Sequence, residues 1–92
     1  MKVNIEFMDG DEIRKSFENA DEIIEETGWW FDDGRIVVLK SGNKVRDYAV
    51  ALHEFIEFVL EKEFGMTHPV AHEIANIFED KFWIILGGIV DE

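Results

Sequence analysis

KVRDYAVALHEFIEFVLEKEFG, residues 44–65, decides how the rest of the chain is read. Its apolar residues recur at helical spacing. At about 100° per residue, Val45, Ala49, Leu52, Ile56, Val59 and Leu60 form one face. Ser41-Gly42-Asn43 supplies a break and a cap before it, and Gly65 is placed to stop it. The stretch therefore predicts a helix over 44–64.

On that helix stands His53-Glu54-Phe55-Ile56-Glu57, an HExxE sequence. Two residues four apart lie about 40° apart on a helix, one turn along, so His53 and Glu57 can hold one ion between them. Glu54 lies about 100° round, toward the mouth of a cleft. Downstream, Met66-Thr67-His68-Pro69 opens a second helix, expected from about residue 69 to 86 and broken by Gly87-Gly88. His72, Asn76 and Glu79 share a stripe on it. A short connection makes the two helices neighbours, so His72 can face His53 and Glu57.

That set, two His and one Glu, is a ligand set of catalytic zinc sites. Zn2+ is the expected cofactor; iron, manganese or nickel would also suit donors that lack thiolate. Glu54 would be the general base, and Asn76 or Glu79 would orient His72 through its second nitrogen. His68 competes as the distal ligand, although its place before Pro69 suits a cap or loop. A carboxylate-rich metal pair using Glu73 and His68 is a further arrangement. Glu61, Lys62 and Glu63 read as a solvated face. Trp29, Trp30, Phe55, Phe58, Phe78, Phe82 and Trp83 read as core.

Working back toward the N-terminus, the period changes to two. KVNIEFMDGDEIRKSFEN reads as a hairpin, with Asp9-Gly10 as its turn and residues 13–17 as the returning strand. NADEIIEETG is open to two readings, a strand or a short helix capped by Asn19 or Asp21 and ended by Gly28, and the helix is preferred. WWFDDGRIVVLKSG is a second hairpin, turning at Asp33-Gly34. The expectation is an α+β fold: a small antiparallel sheet of two hairpins followed by two packed helices, all in one domain over residues 1–92.

Composition excludes much else. Twenty-one acidic residues against nine Lys and Arg give a formal charge of −12, which repels nucleic acid and anionic membranes. Cysteine is absent, so there is no disulfide, thiol nucleophile or thiolate metal site. The N-terminus shows no leader, and FWIILGGIV is too short to span a bilayer, so the expected location is cytoplasmic.

LHEFIEFVLEKEFGMTHPVAHEIANIFED resembles the core of small zincin-like proteins of prokaryotes and their viruses, minimal metallopeptidase domains with an HExxE helix followed by an AHE helix. The resemblance spans roughly residues 35–80. It is specific at His53, Glu54, Glu57, Ala71, His72 and Glu73, and it departs from the HExxH pattern at Glu57. It implies a zincin-type fold, metal at His53, Glu57 and His72, and Glu54 in the catalytic position. It also implies a peptide or protein substrate laid along an edge strand, for which residues 35–40 are the candidate. A cleft in so small a chain would be completed by a partner or a homo-oligomer. The expected function is a zinc-dependent peptide hydrolase. The alternative is a non-catalytic acidic interaction domain, with or without a structural metal.

Overall fold

The computed structural model describes the backbone of residues 2–90 and the side chains of residues 2–86. The architecture is α+β, a three-stranded mixed sheet covered on both faces by helices, two of which lie between β1 and β2 in sequence and two after β3. The elements are β1 (Asn4–Met8), α1 (Gly10–Ser16), α2 (Ala20–Glu26), β2 (Gly28–Trp30), β3 (Arg35–Leu39), α3 (Lys44–Lys62) and α4 (His68–Val90).

The first expected hairpin does not form. Asp9 is a helix cap instead of a turn residue: its Oδ1 accepts the Glu12 N–H at 2.9 Å, and Glu12 Oε1 accepts the Asp9 N–H at 3.4 Å. This reciprocal pair satisfies two helix-end donors, and D-G-D-E carries its spacing as well as the turn signal. Residues 13–17 therefore contribute a helix and its end rather than a strand. Freed from a hairpin, β1 pairs parallel with β3, from Asn4 opposite Arg35 to Met8 opposite Leu39. Arg35 clasps Glu6 across that pair, with Nε to Oε1 at 2.9 Å and Nη2 to Oε2 at 3.1 Å. β2 pairs antiparallel with β3, Gly28 opposite Val38 and Trp30 opposite Ile36.

The strand order is β1-β3-β2, so β3 is central and cannot be the strand that receives an extended peptide. Its run of branched residues accounts for this position. Val37 packs on one face with Met8, Ile13, Ala20 and Ile23; Ile36 and Val38 pack on the other with Ala51 of α3. All three valine and isoleucine side chains of β3 are fully buried, as expected of a strand covered on both faces.

α3 is buried on two sides. Val45 and Ala49 of the expected apolar stripe are buried. Ala51 and Phe58, about 140° round the wheel, are buried as well, Ala51 against the sheet. Asp47, also buried, accepts the Ser41 Oγ–H at 2.7 Å and ties the incoming loop to the helix. His53 and Glu57 occupy the sector between these two faces.

Gly28 sets how closely α3 approaches β2. A Cβ there would lie 2.6 Å from Val50 Cγ1 and 2.9 Å from Glu54 Cγ. Gly28→Ala should therefore destabilise the fold by roughly 1–3 kcal/mol through overpacking. Urea unfolding checks this; an unchanged midpoint would mean that the helix can shift outward freely.

The last helix is longer than expected. It starts at His68, with the Ala71 N–H bonding the Thr67 carbonyl at 3.0 Å, and runs through Gly87-Gly88 to Val90. Glycine lowers helix propensity by about 1 kcal/mol per residue without removing a donor, so it weakens a helix where proline would break it. Among the described residues, no helix is long and apolar enough to cross a membrane.

Candidate metal centre

Three side-chain atoms converge between α3 and α4. His53 Nε2 lies 3.0 Å from Glu57 Oε2 and 3.2 Å from His72 Nδ1, and His72 Nδ1 lies 2.5 Å from Glu57 Oε2. α3 supplies His53 and Glu57 from adjacent turns. α4 brings His72 across because Ala71 and Ala75, both fully buried, let the helices approach closely. Glu57 and His53 are buried, with 3% and 8% of their surface exposed, while the His72 side chain stays half exposed.

The triangle fits a divalent ion. Donors at about 2.0–2.1 Å around tetrahedral zinc stand about 3.3 Å apart. Two of the three edges are already within a few tenths of an ångström of that. The third, between Glu57 and His72, is hydrogen-bond length and would open by about 0.8 Å on coordination.

The second nitrogen of His53 strengthens the fit. Nδ1 is buried, with Glu79 Oε1 at 3.0 Å, yet the approach is too oblique for a hydrogen bond and Nδ1 has no such partner. His53 thus has a carboxylate oxygen beside each nitrogen. A neutral imidazole has only one N–H and would set a lone pair against one of those oxygens. Two states avoid this. One is the imidazolium. The other places a cation at Nε2 and the proton at Nδ1 facing Glu79, the carboxylate–histidine–metal arrangement. Without metal, burial pulls the His53 pKa down, but the bond to Glu57 and the charges of Glu57, Glu54 and Glu79 outweigh it and raise it, which favours the imidazolium.

Glu57 behaves in the opposite sense. Burial pushes its carboxyl up, but hydrogen bonds from His53 and His72 prevail and hold it below its usual value. Glu54, one residue from His53, is buried with no cation close enough to compensate. Burial first, then the Glu57 charge, push it up to about 8 against the opposing pull of His53.

His53, Glu54, Glu57, His68, His72 and Glu79 all line one cavity of about 850 Å3. Glu79 serves His53, not His72 as expected. His68 is exposed and pairs with Glu61 Oε2 at 2.9 Å, so Glu61 is not part of a solvated face and His72 is the histidine that meets His53. Glu57, Glu61 and His68 form a second convergence of donor atoms, sharing Glu57 with the first. Glu73 and Asn76 are exposed and do not line the cavity. Tyr48, half exposed, packs edge-on to Phe7, 5.2 Å between centroids, and does not line the cavity.

Sequence reasoning missed most of the cavity wall. β2 and its flanks contribute residues 26–32, including both tryptophans, and α4 adds Trp83. The tryptophans do pack as core partners, Trp29 with the Val37 cluster and Trp30 edge-on to Phe58 at 5.6 Å. A three-residue strand that must both cover a sheet and face a cleft leaves no distinct sequence signal. Arg46 is the arginine on the wall. Its Nη1 is buried without a hydrogen bond, 3.5 Å from Asp47 Oδ1.

No family model, curated protein or solved structure matches the chain.

Proposed function

We propose that the chain is a minimal zinc-dependent peptide hydrolase, with the metal held by His53, Glu57 and His72. The observation that carries the reading is the His53 ring, which has Glu57 and His72 donors converging at Nε2 and a carboxylate waiting at Nδ1. Zinc bound there would polarise a substrate carbonyl and acidify water.

The chain's own groups supply the rest. Glu54 lies on the cavity wall beside the ligands; a bound cation would favour its ionised form, and the carboxylate would then take a proton from water and return it to the departing amine. β2, not β3, is the edge strand at the cavity. The Phe31 N–H bonds Arg35 O and the Leu39 N–H bonds Thr27 O. By the alternation of an antiparallel pair, Trp29 is the bonded residue between them, and Gly28 and Trp30 turn their N–H and C=O groups away from β3. An extended peptide laid on that edge would run past the triad. Arg46, whose buried Nη1 makes no hydrogen bond, would donate to a substrate oxygen.

The test compares the zinc-loaded chain with Glu54→Gln on a mixed peptide library read by mass spectrometry. Cleavage by the native chain should fall at least about 100-fold in the variant while zinc content is unchanged. No cleavage by a fully zinc-loaded native chain would reject the hydrolase and leave a metal-stabilised interaction domain.

A further inference from the structure

We propose that α4 is the interface between two copies of this chain, which cross antiparallel about a two-fold axis at Ile77. Among the described residues, five of the eight large hydrophobic side chains that stand exposed lie on α4: Val70, Ile77, Phe78, Ile84 and Ile85. They are not scattered. Val70, Ile74, Ile77, Lys81 and Ile84 follow one another at spacings of four, three, four and three, the seam pattern of helices that pack on helices. The seam is turned roughly 100° from the buried Ala71–Ala75 face. Apart from Ile74, which is partly buried, its members stand exposed, and from residue 70 to 84 it extends about 21 Å. A stripe this long exceeds the isolated surface apolar residues that need no explanation.

The charges on the seam select the occupant. Lys81 is the single cation in an apolar stripe. A parallel pair of copies would set Lys81 against Lys81. A two-fold antiparallel crossing at Ile77 sets each residue against the one equally far on the other side of the axis: Ile77 meets Ile77, Val70 meets Ile84, and Lys81 comes level with Glu73 of the second copy. Glu73 is exposed at the border of the seam and is not used by the cavity. A self-complementary patch of this kind is what an isologous contact requires. The net charge of −12 argues against an anionic membrane as the alternative cover.

Sedimentation velocity from micromolar to millimolar protein, in about 0.15 M salt and with chelator present, tests this independently of any metal. The chain should be a dimer. Ile77→Glu should weaken association at least about 100-fold while far-UV circular dichroism shows the fold retained. Lys81→Glu should weaken it about tenfold, and adding Glu73→Lys to that variant should restore it, because the swap rebuilds both pairs in the opposite sense. A monomer at every concentration, a dimer indifferent to Ile77→Glu or Lys81→Glu, or a double swap no tighter than Lys81→Glu alone would each overturn the proposal.

Discussion

Alanine at His53, Glu57 or His72 will each lower zinc affinity by at least about 100-fold, and the three variants will differ in how stable they are without metal. Removing a direct ligand should cost more than the 10–100-fold typical of an outer partner. The metal-free costs follow from burial. Glu57 accepts from both imidazoles at 3% exposure, so Glu57→Ala leaves His53 buried with neither ring nitrogen bonded to a carboxylate, a cost of roughly 1–3 kcal/mol. His72 is half exposed, so His72→Ala should leave the metal-free fold nearly intact. It is the cleanest variant, because lost zinc binding there cannot be ascribed to unfolding. Glu79→Gln, acting through His53 Nδ1, should weaken zinc by 10–100-fold. Zinc at about 100 times its dissociation constant should stabilise the native chain by about 2.7 kcal/mol, raising its melting temperature by roughly 10 °C or more. Isothermal titration with zinc and thermal melts check both statements. Native affinity in His72→Ala would remove α4 from the site and reject the centre.

The helix that bears His53, Glu54 and Glu57 was legible because a cap, an apolar period and a stop coincide over residues 43–65. The convergence of His72 was legible for a related reason, since a short connection leaves two helices few ways to meet. What failed has specific physical causes. Asp9-Gly10 carries two local signals, a turn and a cap, and the choice between them depends on whether Glu12 reaches back, which it does. Once that segment is helical, β1 must find its partner elsewhere, and β3 moves from the edge to the centre of the sheet. Phe78 reads as core by type but is half exposed, because α4 is apolar on more sides than one and its alanine face is the one that meets α3. Glu79 was expected beside His72, a neighbour on its own helix, but meets His53 across the helix pair. Helical spacing shows which residues share a face, and says little about which of them reaches a ring on the neighbouring helix.

Glu54→Gln should stabilise the metal-free protein as strongly as it disables the proposed hydrolase. The sign follows from where the proton sits. The folded chain holds the Glu54 carboxyl at about 8, above its ordinary value of 4.5, because burial and the Glu57 charge disfavour the anion. Between those two values the folded chain binds a proton that the unfolded chain has released, so stability falls as pH rises through this window. Below 4.5 both states are protonated and the penalty is absent. By pH 7 the loss is on the order of 3 kcal/mol. Glutamine keeps the side chain's size but cannot ionise. The variant should match the native chain near pH 4, exceed it increasingly above pH 5, and level off above pH 8, in urea titrations with chelator. A difference that does not grow with pH would mean that Glu54 ionises freely and is not held in the buried environment seen here. If it grows, the chain keeps at residue 54 a carboxylate that costs it a large share of a small domain's stability. On the proposed reading, that is the cost expected of a buried carboxyl retained for proton transfer, where stability is given up for function.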